Sequence, residues 1–494
     1  MTLNSKPGSQ YIGGFWSAAG GMPMASRNPA NGQLLWEGLE ADPALIDGAV
    51  NAARSAFADW SRRPYSERER LLLKYQEILT RRKPEITNAI SQEVGKPRWE
   101  AGTEAQAMIG KIPLAMQAYG QRTSNFGSGA GITRFKPHGV VAVFGPYNFP
   151  GHLPNGQIVP ALLAGNTIVF KPSEQAPAVA ELMMVCLEEA GIPGGVVNMV
   201  QGGRETGQGL ADHPGLDGLF FTGSARTGLI LHELFAGRPD KILALELGGN
   251  NPLVVQEVDN LDAAAFHTTQ SAYLTSGQRC TCARRLIVPE GSHGDAFVER
   301  LVGWINRLTV GDPLEDPEPF MGSLISHEAA VQVLNAQEQR QDAGGQSLVE
   351  ARILKPGSGI ISPALIDVTG VHDLPDEEIF GPLLHLIRVP DFEAAIEAAN
   401  DTAYGLSAGI LSDNKVLYDQ FYTRVRAGLI NWNQQITGAS GAAPFGGVGL
   451  SGNHRPSGFF ASDFCAYPVA SIEREQLSLP ESLPQGIRAN ENTN

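Results

Sequence analysis

The sequence predicts an α/β protein with a doubly wound, mostly parallel sheet, followed by a second α/β unit. Three observations carry this expectation. Between Thr133 and Gly248, short continuous apolar runs alternate with helical segments, the pattern of strands buried on both faces and joined by crossover helices. The 57 Gly and 33 Pro fall in short clusters between apolar runs with no collagen-like period, which marks many tight turns. The 494 residues, 42% of them hydrophobic, suffice for about two to four domains with ample core.

From Asp42 to Lys96 the pattern is helical, with apolar residues at three-to-four spacing and charged faces over 49–60 and 67–81. Strands are expected at 140–144, 167–170, 196–200, 218–222 and 242–245, with helices at 155–164, 176–190, 204–211 and 225–236 between them. Open sheets of this kind bind ligands beyond the carboxyl ends of their strands. A second α/β stretch has strand patterns at 253–255, 286–288 and 428–431 and helical ones at 261–275, 295–307 and 391–399. Beyond Gly452 the chain turns aromatic and irregular over 458–466, and the polar tail 484–494 is expected to be disordered. No repeat is visible at a period of about 20–50 residues.

Acidic residues outnumber basic ones by 52 to 37, a net charge of -15. Such a field disfavours nucleic acid and anionic membrane as partners, although a local basic pocket for a small anion is compatible with it. Four cysteines, Cys186, Cys280, Cys282 and Cys465, are too few for a disulfide scaffold. The first thirty residues contain no apolar core of a secretory signal, and no apolar run approaches the ~18 residues of a membrane span. A cytoplasmic protein with reduced thiols is expected.

Six segments carry chemistry. Phe220-Phe221-Thr222-Gly223-Ser224-Ala225-Arg226-Thr227-Gly228 reads as strand, glycine turn and helix start, a place where free N–H groups meet phosphate. Ala225 stands where a dinucleotide fingerprint has its second Gly, and Leu229 follows Gly228 where a Walker A loop has Lys. The segment by itself is equally a capped turn. Cys280, in Ser276-Gly277-Gln278-Arg279-Cys280, sits in a loop beside a cation, a setting that stabilises thiolates. Cys186 and Cys465 fit buried core thiols, and the Cys280–Cys282 pair has no matching ligands at metal spacing, so no metal is expected. Glu246, in Leu245-Glu246-Leu247-Gly248-Gly249-Asn250, closes an apolar strand, where partial burial would raise it toward a useful base; a salt-bridged strand end fits equally. Asn148, in Gly145-Pro146-Tyr147-Asn148-Phe149-Pro150, suits either an oxyanion donor or turn stabilisation. Lys171, in Phe170-Lys171-Pro172-Ser173-Glu174, could meet ribose or phosphate. The sixth is Glu377-Glu378-Ile379-Phe380-Gly381-Pro382.

In this order the set resembles the aldehyde dehydrogenase superfamily over nearly the whole chain, from Tyr11-Ile12-Gly13-Gly14 and Asn28-Pro29-Ala30-Asn31-Gly32 to Pro444-Phe445-Gly446-Gly447. The resemblance implies a Rossmann-type NAD-binding domain over 1–118 and 138–247, a catalytic domain over 248–450, and a small β oligomerisation arm over 119–137 and 463–481. It implies a homo-oligomer, dimer or dimer of dimers. It makes Cys280 the nucleophile, Glu246 the base and Asn148 the oxyanion amide. NAD would meet Lys171 and Glu174 at the adenosine ribose, Gly223 and Ser224, with Ala225, Arg226, Thr227 and Gly228, at the phosphates, and Glu378 and Phe380 at the nicotinamide end.

The C-terminal segment leaves the generic pattern: Gly449 stands where most members have Lys, and Ser451-Gly452-Asn453-His454-Arg455-Pro456-Ser457 is unusual. With Gly151-His152-Leu153-Pro154-Asn155-Gly156 and Cys280-Thr281-Cys282-Ala283-Arg284-Arg285, it looks like the branch acting on N-succinylglutamate 5-semialdehyde in arginine breakdown by the succinyl-transferase route. That substrate carries carboxylates, which Arg guanidinium pairs well. Arg455 is the first candidate to bind them, then Arg279 and Lys111. Rival expectations are another carboxylated semialdehyde, a CoA-acylating member, and a non-catalytic protein on the same scaffold. Acylating members generally lack the base, so Glu246 argues against the second. Retention of Cys280, Glu246 and Asn148 argues against the third.

Overall fold

Strands Val140–Phe144, Thr167–Lys171, Val197–Met199, Gly218–Gly223 and Ile242–Leu247 consist almost wholly of buried residues and pair in parallel. The structure is a computed structural model and describes residues 8–128 and 131–488. In space the order is Ile242–Leu247, Gly218–Gly223, Val140–Phe144, Thr167–Lys171, Val197–Met199, and an antiparallel hairpin, Gln10–Ile12 with Phe15–Ser17, completes seven strands. Alternate residues face opposite sides. Val141, Val143, Ile168 and Phe170 pack with helices Tyr65–Arg81, Lys83–Val94, Arg98–Arg122, His152–Ala164 and Pro177–Glu189; Val140, Ala142 and Val169 pack with Pro43–Trp60, Arg204–Asp212 and Ala225–Phe235. This is the doubly wound sheet expected. The chain reverses its direction of travel at Val140–Phe144, which opens a crevice at the carboxyl ends of the strands.

A second seven-stranded sheet begins three residues after the first ends, in the order Gln346–Val349, Ala364–Asp367, Leu383–Val389, Ala283–Pro289, Asn251–Val255, Ser407–Leu411, Leu429–Trp432. All its pairings are parallel except that of Gln346–Val349. The short link Gly248–Gly249–Asn250 therefore sets the carboxyl edge of one sheet against the amino edge of the other. Cys280 lies just before Ala283–Pro289, and Glu246 lies in Ile242–Leu247. A separate antiparallel sheet joins Phe126–Ser128, Gly131–Pro137 and Ala466–Ser471.

Several expectations need correction. Helix Arg98–Arg122, 25 residues long, was not expected; nor were His327–Asp342, Lys415–Arg424 or the strands at 364–367, 383–389 and 407–411. The irregular C-terminal stretch orders into 3-10 turns and the strand Ala466–Ser471. Glu246 is inside its strand, paired with Thr222, because the strand runs on to Leu247. Of the tail expected to be disordered, 484–488 is exposed coil and 489–494 lies outside the described residues, as do 1–7 of the first segment and 129–130 of the arm. No helix among the described residues is long and apolar enough to cross a membrane.

Candidate active site

Helix Leu261–Tyr273 runs into a tight turn in which Thr275, Ser276 and Gly277 all have positive φ, 55°, 53° and 75°. The left-handed region is costly for residues with a Cβ, so outside contacts must hold it. At Gly277 only glycine fits, because a Cβ would lie 2.1 Å from the Gly381 carbonyl oxygen. Ser276 Oγ donates to the Gly322 carbonyl at 2.9 Å, Arg284 donates to the Gly277 carbonyl at 2.7 Å, and Arg279 Nε donates to Thr275 Oγ1 at 2.7 Å. Asn251 Nδ2 donates to the carbonyls of Cys280 and Cys282 at 2.7 and 2.9 Å. The loop thus presents Cys280 at the floor of a cavity.

Burial pushes the Cys280 thiol well above its ordinary range, and the neighbouring carboxyls of Glu246 and Glu378 push it further. The expected thiolate stabilised by a cation is not what the structure contains. Arg279 precedes Cys280 in the chain, but its guanidinium turns to Glu100 at 2.7 Å. Cys282 is fully buried and donates to the Leu274 carbonyl at 3.7 Å, while Cys186 and Cys465 are buried as expected. Among the described residues no three metal-ligating side chains gather.

Glu246 is 1% exposed. Desolvation drives its carboxyl up to about 8, Glu378 adds to this, and the adjacent thiol opposes it. Neither oxygen makes a hydrogen bond of good geometry, although the thiol is near enough to share a proton. A buried carboxyl left open in this way is costly to a fold and useful to a reaction. Glu378 rises to about 6 through burial, opposed by Arg284 at 3.4 Å. It overlies Gly248, where a Cβ would lie 1.8 Å from Glu378 Oε2. Asn148 Nδ2 donates to the Gln278 carbonyl at 2.9 Å, which ties the expected oxyanion amide directly to the thiol loop.

The cavity above Cys280 has a volume of about 460 Å³, and Lys111, Phe149, His152, Arg279 and Phe445 contribute to its walls. The Lys111 ammonium makes no hydrogen bond or ion pair with any described residue, and burial lowers it to about 8. His152 Nδ1 is buried with no partner among the described residues, and burial with Lys111, Lys96 and Arg279 nearby keeps the ring neutral. Arg455 needs correction: it does not line this cavity. Its backbone has φ 52°, and its guanidinium donates to the Gly447 carbonyl at 2.6 Å. The neighbouring Asn453 clips this loop to the strand edge at Leu243 and Leu245.

The remaining expected residues lie along the crevice. Lys171 ends its strand and donates to the Pro172 carbonyl at 3.0 Å, 3.5 Å from exposed Glu174. Ser224 caps helix Ala225–Phe235, accepting from Thr227 N at 3.3 Å, with Arg226 and Thr227 exposed. Gly228 lets this helix press on the sheet, since a Cβ would lie 2.4 Å from the Leu247 side chain. Phe380 sits edge-on to Tyr147 at 6.1 Å, beside Arg284. Free helix N–H groups, a buried ammonium and an open carboxylate along one ledge fit a dinucleotide's phosphates and ribose. Sequence reasoning overlooked Lys96, Glu100, Glu104, Thr275 and Arg284; only the four-residue spacing of Glu100 and Glu104 could have flagged any of them.

Fold and site together define a dinucleotide-dependent oxidoreductase. The model of the aldehyde dehydrogenase family matches residues 16–468. A 1-pyrroline-5-carboxylate dehydrogenase from Thermus, solved with bound NAD, is 32% identical with a TM-score of 0.87 over 94% of this chain and 92% of that one. The aldehyde dehydrogenase KauB from Pseudomonas aeruginosa is 29% identical with a TM-score of 0.88, over 94% and 96%. Aldehyde dehydrogenase C from Pseudomonas syringae, solved with NAD+ and octanal, is 27% identical with a TM-score of 0.88, over 95% and 98%. The chain belongs to the aldehyde dehydrogenase family. Its activity is NAD-dependent oxidation of an aldehyde.

Proposed function

We propose that this protein oxidises N-succinyl-L-glutamate 5-semialdehyde to N-succinyl-L-glutamate, in the cytoplasm, as a step of arginine breakdown by the succinyl-transferase route. The observation that carries this reading is Lys111, a buried ammonium with no partner among the described residues, in the same cavity as Cys280. An anionic substrate supplies the missing partner. Lys111 replaces Arg455 as first candidate for a carboxylate, and Arg279, already paired with Glu100, is second.

In this account the Cys280 thiol gives up its proton to solvent, and the thiolate adds to the aldehyde carbon. The Asn148 amide and the Cys280 backbone N–H meet the charge that develops on oxygen. Lys171, Glu174, the 223–228 turn, Glu378 and Phe380 would hold NAD, which would supply the hydride acceptor. Loss of hydride leaves a thioester on Cys280. Glu246 then removes a proton from water, the water oxygen bonds to the acyl carbon, the C–S bond breaks, and the acid departs. A buried carboxyl raised to about 8 suits this proton transfer.

Glutamate semialdehyde is a second reading, favoured by the similarity to 1-pyrroline-5-carboxylate dehydrogenases. Its free ammonium would face Lys111 and Arg279, whereas acylation removes that charge. Lys111→Met is expected to lower kcat/KM for succinylglutamate semialdehyde about 10–150-fold, the value of one charged hydrogen bond, and to leave propanal within about threefold. Equal losses on both aldehydes would remove Lys111 from the substrate site.

Glu174, exposed beside Lys171, should accept from ribose hydroxyls and repel a 2′-phosphate. The protein should therefore favour NAD over NADP, and Glu174→Ser should narrow the preference. Equal kcat/KM for both cofactors in the unmodified protein would contradict this. The three-stranded sheet, with Phe126 and Tyr467 exposed, serves as the oligomerisation arm of a dimer or dimer of dimers. A monomer in sedimentation at micromolar concentration would refute that assignment.

A further inference from the structure

Helix Arg98–Arg122 buries two carboxylates one turn apart, Glu100 and Glu104, which places them about 6 Å apart along its axis. Each grips a different loop of the site. Glu100 Oε1 accepts from Arg279 at 2.7 Å and from the Thr275 hydroxyl, and so holds both ends of the strained turn before Cys280. Glu104 Oε1 accepts from the backbone N–H groups of Gly151 and His152 at 3.0 and 3.2 Å, at the start of the helix that follows Asn148. Its other oxygen accepts from Lys96 Nζ at 2.7 Å, and that ammonium lies 3.4 Å from the centre of the Phe149 ring. The two loops then meet through Asn148 Nδ2 and the Gln278 carbonyl at 2.9 Å. The contacts form a closed ring: helix, Glu100, thiol loop, Gln278, Asn148, Pro-bracketed turn, Glu104, helix.

We infer that Glu100 and Glu104 are positioning residues that set the distance between Cys280 and the Asn148 amide. The inference rests on the covalent reading above. Stability alone gives little reason for the arrangement, because buried ion pairs are poor stabilisers compared with well-packed apolar side chains. A donor aimed at a developing oxyanion, by contrast, acts only when held in place. The carboxylates touch neither the thiol nor a reacting atom. What they hold are the two loops that carry Cys280 and Asn148.

A double-mutant cycle on the full-length protein tests this, read as the single-turnover rate of NADH formation at saturating NAD and aldehyde. Asn148→Ala alone is expected to slow hydride transfer about 10²–10³-fold. Glu104→Gln and Glu100→Gln should each slow it about 10–100-fold, with NAD affinity by fluorescence titration unchanged. In either background, adding Asn148→Ala should cost less than about fivefold, since the amide is already misplaced. Full additivity, with the second loss undiminished, would overturn the inference and leave the carboxylates merely structural. Should Glu104→Gln or Glu100→Gln fail to fold, Thr275→Val deletes one hydroxyl at the other brace and runs the same cycle; additivity there is equally fatal. If Asn148→Ala alone is harmless, the oxyanion role fails instead, and the two failures are distinct.

Discussion

Cys280→Ala is expected to lower kcat/KM by about 10⁴-fold or more, the scale on which covalent enzymes lose their nucleophile. NAD binding should survive, because the residues proposed for the phosphates and adenosine ribose lie along the first sheet and not on the thiol loop. Cys186→Ala, Cys282→Ala and Cys465→Ala, all at buried positions, should keep the chemistry where they fold. Cys282 is the informative control: it lies two residues from Cys280, yet its sulfur turns into the core toward Leu274. Substantial dehydrogenase activity in Cys280→Ala would end the covalent mechanism.

Glu246→Gln should separate the two half-reactions. The amide cannot take a proton from water, so deacylation should slow about 10²–10⁴-fold, far more than hydride transfer. Rapid mixing should then show a burst of about one NADH per site before a slow steady rate. The unmodified protein should show the matching pH dependence. A carboxyl accepts a proton only when ionised, and burial lifts that of Glu246 to about 8. The deacylation rate should thus rise with pH through that value, about tenfold from pH 7 to well above 8, and this rise should vanish in Glu246→Gln. Equal slowing of both phases would place Glu246 earlier, in activation of Cys280.

The cofactor sheet was readable because its physics is local. Val140–Phe144 is five apolar residues closed by a Gly-Pro turn, and its boundaries match the expectation. Helix Arg98–Arg122 hid for the opposite reason. Its buried face carries Glu100, Glu104 and Lys111, and it contains Gly102, Gly110 and Pro113, so the charges that brace and line the site erase the apolar stripe that would announce it. Cys280 and Glu246 stood out by motif, but their electrostatics did not. Adjacency in sequence placed Arg279 next to the thiol, whereas the turn sends its guanidinium to Glu100. Arg455 shows the same limit: departure from a family pattern marked a loop, and its guanidinium turns to the Gly447 carbonyl and not to the cavity.

The central claim is an acyl group carried on Cys280 between hydride loss and hydrolysis. The direct test is intact-mass and peptide analysis of Glu246→Gln, quenched in acid after mixing with NAD and succinylglutamate semialdehyde. Cleavage after Arg279 and Arg284 yields one short peptide containing both Cys280 and Cys282, so fragmentation must locate the label. The account predicts one N-succinylglutamyl group per chain, on Cys280 sulfur, formed only when NAD is present. NADH released without any acylated protein, or the label on Cys282, would contradict it.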